Sequence, residues 1–185
     1  LNTDFSDTEV DDRQLNLTRF SLFFPEKRNF FLQDMDIFSF ANYDQWNRNA
    51  NPFFTRRIGL SATGQPIDIN SGLKLTGRSG RLNIGVLGVQ QDSHQSLDKS
   101  DLFVARVMAN VLDESNIGLL FTSGNPRSNL DNKVAGLDFR YRNTSIYPSK
   151  RVEGDIWYTA TDTPGVDQDQ DTLGVTFAIQ GEEGI

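Results

Sequence analysis

The chain contains no cysteine and a single histidine, His94. The first absence removes disulfides, thiolate nucleophiles and cysteine-ligated zinc or iron–sulfur sites together. The second rules out a metal held by two or more histidines. A Ser–His–Asp arrangement would have to use His94, which lies in the polar run Gln91-Asp92-Ser93-His94-Gln95-Ser96 with no Gly-x-Ser-x-Gly elbow in the chain. No apolar run approaches the roughly 18 residues that a membrane-crossing helix requires. A barrel is untouched by that exclusion, because its strands alternate and never look strongly hydrophobic. Excess positive charge is also missing. With a net charge of −7 the chain has no electrostatic footprint for nucleic acid. No Walker-type phosphate loop occurs, and Gly77-Arg78-Ser79-Gly80 reads as a hairpin turn between strands. The chain starts at Leu1 without a basic n-region and apolar h-region, so any export signal is expected upstream or already removed. No cofactor is called for.

What is plentiful is phenylalanine, 14 residues against two Met and two Trp. Much of it falls in pairs, Phe23-Phe24, Phe30-Phe31 and Phe53-Phe54, within an irregular leading segment (1–70) that packs charges between them. From 71 to 185 the chain becomes runs of about ten residues separated by polar, Gly-, Asp- and Asn-rich breaks. Alternation is legible in several runs. Leu137, Phe139 and Tyr141 oppose Asp138, Arg140 and Arg142. Leu173, Val175, Phe177 and Ile179 oppose Gly174, Thr176, Ala178 and Gln180. Phe103, Ala105, Val107, Ala109 and Val111 form an apolar row against a mixed one containing Arg106 and Asn110.

The breaks alternate in length. Ser79-Gly80 and Asp113–Asn116 are short; Gln91–Ser100, Ser123–Asn132 and Thr161–Asp171 are long; Asn143–Lys150, with Pro148, is intermediate. This predicts an all-β, antiparallel up-and-down sheet of about seven strands. Short turns at one end and long loops at the other is the wiring of an outer-membrane barrel. Periodicity alone fits a soluble barrel or sandwich equally.

Residues 1 to about 40 carry a more specific pattern. Asn2-Thr3-Asp4-Phe5-Ser6, Val10-Asp11-Asp12 and Asn16-Leu17-Thr18-Arg19-Phe20 lead into Phe23-Phe24-Pro25-Glu26-Lys27-Arg28-Asn29-Phe30-Phe31-Leu32. Phe53-Phe54-Thr55-Arg56-Arg57-Ile58-Gly59 and Leu73-Lys74-Leu75-Thr76-Gly77-Arg78 follow in order. Together they resemble the opening of a barrel domain of unknown function in Gram-negative envelope proteins. There it usually follows a domain similar to family nine carbohydrate-binding modules, in proteins often labelled carbohydrate-binding or membrane-associated hydrolase. Asn29 replaces the usual Pro, and Gln33-Asp34 replaces an acidic residue and Gly. The resemblance implies the first part of a transmembrane-type β-barrel in the outer membrane, in contact with lipid. It also implies a link to carbohydrate only through the upstream module. A channel or surface module is the expected role. An envelope hydrolase acting on glycans and a soluble periplasmic β-domain are the alternatives, the last predicting that the apolar rows are buried. Seven strands are not expected to close alone, so the chain would self-associate or fold as a soluble sheet.

Two candidate sites follow from residue type. Glu26, Lys27 and Arg28 lie between Phe pairs and offer a binding or gating surface inside a barrel. The plainer reading is an anchored segment in which Glu26 pairs with an arginine, Arg56 and Arg57 being the expected partners. Asp167, Asp169 and Asp171 alternate as cation ligands would. Thr172 and Ala178, however, occupy the positions where a calcium loop needs Gly and a bidentate Glu. A solvated acidic loop explains them as well. Among the acids, Glu9, Asp11, Asp12, Asp34 and Asp36 show no spacing that singles out a hydrolytic pair. The Phe-rich segment could plug the barrel, lie on its wall or form its first strand, and is expected to pack inside the barrel.

Overall fold

Strands form here because β-branched and aromatic residues recur at every second position, which suits a pleated, half-covered surface. The computed structural model describes residues 26–41, 51–61, 64–147, 150–167 and 170–181. Seven strands, β1 (Ile69–Ser79), β2 (Leu82–Gln91), β3 (Ser100–Val111), β4 (Ser115–Ser123), β5 (Lys133–Tyr147), β6 (Lys150–Asp162) and β7 (Asp171–Gly181), pair in sequence order. Every pairing is antiparallel. The sheet is open, with β1 and β7 at its edges. The described residues are all-β apart from one helical turn, α1 (Asn29–Leu32), and two 3₁₀ turns, Met35–Phe38 and Thr55–Arg57.

The strand ends Ser79 and Leu82, Val111 and Ser115, and Tyr147 and Lys150 lie at one end of the sheet, and Gln91 and Ser100, Ser123 and Lys133, and Asp162 and Asp171 at the other. The first hairpin turns on Gly80-Arg81, one residue later than expected, with Ser79 paired to Leu82 and Gly80 at φ +58°. In the stretch expected as an intermediate connection, Asn143–Lys150, β5 instead runs on to Tyr147 and β6 begins at Lys150. Asn143 explains the difference. Its Oδ1 accepts the N–H groups of Ser145 and Ile146, and Glu114 accepts both the N–H and the hydroxyl of Thr144. Those side-chain bonds absorb the register shift between Asn143 and Tyr147 as a bulge, so pairing resumes at Tyr147–Lys150 instead of ending.

The core lies on one face only. Phe31, Ile37, Phe38 and Phe40 of the leading segment, with Ile58, pack onto Leu87, Val89, Leu102, Val104, Leu120 and Trp157 of the sheet. Mid-strand glycines make room for this cover. A Cβ at Gly85 would lie 2.8 Å from the Phe38 ring, at Gly136 2.7 Å from Phe40, and at Gly174 2.3 Å from Trp157. Gly174→Ala should therefore lower stability by about 1–3 kcal/mol through overpacking. Gly88→Ala, with nothing within 4 Å of its Cβ position, should stay within about 0.5 kcal/mol. Urea midpoints compare the two; equal midpoints would remove the steric role given to Gly174.

Candidate functional site

The two faces of the sheet differ in chemistry and in cover, and the one apolar along its middle is bare. Residues opposite each other in adjacent strands share a face. Leu75, Val86 and Ala105 align with Phe121 and Ala135; Val107 and Leu119 align with Leu137, Tyr158 and Leu173. Leu73 is 75 % exposed, Phe177 69 % and Leu119 60 %. Charges on this face fall at the strand ends: Asp101, Lys133, Asp162 and Asp171 toward the long connections, Lys150 toward the short ones. Along β3 the apolar row from Phe103 to Val111 covers about 27 Å at about 3.4 Å per residue. Among the described residues no helix is long and apolar enough to cross a membrane, which leaves strands untouched. The apolar rows that a soluble domain would bury are thus the uncovered ones here.

The other face is mixed, buried charges lying among the apolar core residues, and it is the covered one. Arg106 and Asp138 are buried there, 1 % and 3 % exposed. Arg106 Nη1 and Nη2 donate to Asp138 Oδ1 and Oδ2 at 2.5 and 2.9 Å. The pair spans from β3 to β5 across β4, where the residue opposite Asp138 is Gly118. A Cβ on Gly118 would stand 2.6 Å from the guanidinium carbon, so only glycine leaves the trough in which the guanidinium lies. Phe40 covers Arg106 with its ring centre 5.6 Å from Cζ. Asp138 Oδ2 also accepts the Ala41 N–H at 3.1 Å. One carboxylate thereby ties the sheet's buried cation to the segment above it.

Alternate residues of β1, Lys74, Thr76 and Arg78, form a second attachment. Lys74 Nζ donates to the carbonyls of Phe30 and Gln33 at the carboxyl end of α1, where a cation suits both the unpaired carbonyls and the helix dipole. Thr76 Oγ1 and Arg78 Nη1 donate to Asp34 at 2.7 and 3.0 Å, and Arg78 Nη2 to Asp36 at 2.8 Å. The Thr76 hydroxyl and then Arg78 hold the Asp34 carboxyl below its usual range.

Glu26 is buried and paired, but not with the expected arginines. Arg28 takes it in a bidentate clasp, Nε to Oε1 and Nη2 to Oε2, both at 2.8 Å. The same guanidinium donates to the carbonyls of Ile58 and Thr55 at 2.8 and 2.9 Å. The 26–28 and 55–58 segments do meet, through the backbone on either side of Arg56-Arg57. Arg56 is half-buried, while Lys27 and Arg57 are exposed. A signal for the Arg28 pairing was present: residues i and i+2 of extended chain share a side, and Arg28 has φ −75°, ψ 122°. Burial alone would raise the Glu26 pKa; the Arg28 hydrogen bonds and charge outweigh it and hold the carboxyl below its ordinary range.

Asp167 is exposed, Asp171 opens β7 and accepts the Tyr158 hydroxyl, and Asp169 lies outside the described residues, as do Glu9, Asp11, Asp12 and the Phe23-Phe24 pair. Among the described residues no three His, Cys, Asp or Glu side chains gather as metal ligands would. Glu153 is shared by Arg140, Arg142 and Arg151 at 3.3 to 3.7 Å. The carboxyl shifts resolved among the described residues, at Glu26, Asp34 and Glu114, all run downward.

Comparison with curated proteins gives no match, and neither does comparison with solved structures. Residues 1–85, which run from the leading segment through β1 and into β2, match a family model described as a domain of unknown function (DUF5916).

Proposed function

We propose that this sheet is a section of the wall of an outer-membrane β-barrel, its bare face against lipid and its covered face toward the interior. The carrying observation is the uncovered face, apolar along the middle of all seven strands, while the buried ion pairs lie with the core on the covered one. Water is the wrong solvent for such a face. Covering a large apolar side chain is worth about 1.5–3 kcal/mol, and monomeric soluble proteins rarely expose contiguous apolar patches beyond a few hundred Å². At a strand tilt of about 40° the Phe103–Val111 row rises about 20 Å, close to the roughly 25 Å apolar band of such barrels. The alternation of short and long connections supports the same orientation. Backbone groups at the edges of β1 and β7 then need further strands, because lipid offers them no hydrogen bonds.

On this reading residues 26–41 and 51–61 occupy the interior beside the wall, which makes this section a plugged one. The carbohydrate link implied by the resemblance concerns an upstream module and not these residues. Fractionation of the protein expressed in a Gram-negative envelope tests the proposal. It should sediment with outer membranes through a high-salt wash and migrate faster unheated than boiled. Recovery in the soluble fraction without detergent would overturn it.

A further inference from the structure

At the end of the sheet with the long connections, a cleft of ≈ 350 Å³ lies between the 52–58 segment and the 124–127 part of the connection that follows β4. Arg57 stands on one wall and Arg127 on the other, with Asn125, Asn132 and Ser123 between, and among the described residues no carboxylate lines it. Asp98 and Asp131 of the connections and Asp101 at the start of β3 line a neighbouring recess. Both guanidiniums are exposed, and their fields oppose each other. The Arg127 proton affinity is lowered, first by its partial burial and then by the charge of Arg57.

Like charges facing one another are costly unless something holds the walls in place, and here something does. The buried Gln91, 1 % exposed, accepts the Gly59 N–H at 2.8 Å through Oε1 and donates from Nε2 to the Pro126 carbonyl at 2.8 Å. A single amide therefore pins both walls, two residues from Arg57 and one from Arg127. The 124–132 connection is fixed at three further points. Gly124 donates to the Asn132 carbonyl at 2.9 Å; Asn129 Oδ1 accepts the Asp98 N–H at 2.9 Å, and its Nδ2 donates to the Ser96 carbonyl at 3.0 Å. Gly124, at φ +92°, lies so close to the Asp101 carbonyl that a Cβ would stand 2.4 Å away. The cleft is built before any ligand arrives, with an arginine on each wall.

We propose that the cleft binds an anion of the phosphate class, its oxygens bridging Arg57 and Arg127. Guanidinium forks match phosphate oxygens in geometry, and an anion between them would remove the repulsion. The phosphate could be carried by a lipid headgroup or by a free phosphorylated solute. The site does not depend on the membrane reading.

The test is calorimetric titration of inorganic pyrophosphate into the full chain in a zwitterionic detergent at low salt. Saturable binding is expected. Arg57→Gln and Arg127→Gln should each weaken it about tenfold, the scale of a charge-assisted hydrogen bond, whereas Arg81→Gln, in the short turn between β1 and β2, should change nothing. Absence of saturation, or a double Gln variant that binds as tightly as the parent chain, would overturn the proposal. If circular dichroism shows that a Gln variant has lost its fold, Arg57→Lys and Arg127→Lys decide: charge kept with the fork lost should give intermediate weakening, and unchanged affinity overturns. Repeating the titration with a short-chain phosphatidic acid sorts the source. Tighter binding of the lipid points to a headgroup, tighter binding of pyrophosphate to a solute. The fractionation above is read separately, so either proposal can fail alone.

Discussion

Asp138→Ala should destabilise the protein by about 3–5 kcal/mol, the scale of leaving a buried charge unpaired. Arg106 is 1 % exposed and cannot turn to water, and both of its Nη donors are committed to Asp138. The Ala41 N–H would lose its acceptor as well, so the covering segment should loosen along with the sheet. Two readouts separate these effects: the urea midpoint in detergent for the sheet, and protease cleavage between residues 26 and 61 for the cover. Replacing the whole pair, Arg106→Met with Asp138→Leu, should recover most of the loss, because two apolar groups remove the desolvation cost that one missing partner exposes. A midpoint shift for Asp138→Ala worth under about 1 kcal/mol would mean that the pair is already solvated. The central role given to it here would then be wrong.

Leu119→Arg should separate water from lipid as the solvent of the bare face. Leu119 sits between Val107 and Leu137 in the middle of the apolar band and is 60 % exposed. In water an exposed substitution away from any partner stays within about 0.5 kcal/mol. In a bilayer the same arginine near the midplane costs about 2–4 kcal/mol, falling to about 0–1 near the interface. Ser123→Arg provides the comparison, since Ser123 pairs with Lys133 at the charged fringe of the same face. Folding into vesicles should fail or slow for Leu119→Arg and proceed for Ser123→Arg. Equal behaviour of the two would mean that no depth gradient exists on this face, and the proposed orientation would fall with it.

Much of the sheet was legible beforehand because a strand's pattern is local. Side chains of period two declare themselves within a few residues, so the rows of Phe103 to Val111, Leu137 to Tyr141 and Leu173 to Ile179 could be read directly, with the alternation of short and long breaks between them. The glycines opposite those rows were visible too. Gly118, Gly136 and Gly174 sit on the mixed side, where glycine in a strand signals a close approach. What approaches them could not be read, since Phe40 arrives from far along the chain and Arg106 and Trp157 from neighbouring strands whose register is set by pairing.

By itself, then, the sequence determined the all-β class, the antiparallel order and the two-sidedness of each strand, along with the absence of thiol and multi-histidine chemistry. Only the tertiary structure decided which side is covered. Alternation has the same period whether the apolar row meets a core or a bilayer, so that choice rests on where residues 26–41 and 51–61 settle. They settle on the mixed face because Asp138, Lys74 and Arg78 offer their backbone and carboxyl groups partners there, while glycines on that face leave space for their rings. The same non-local packing holds the Arg28 guanidinium against the carbonyls of Thr55 and Ile58, where it clasps Glu26. It also brought Arg57 to face Arg127, a pairing of like charges that no local pattern could announce.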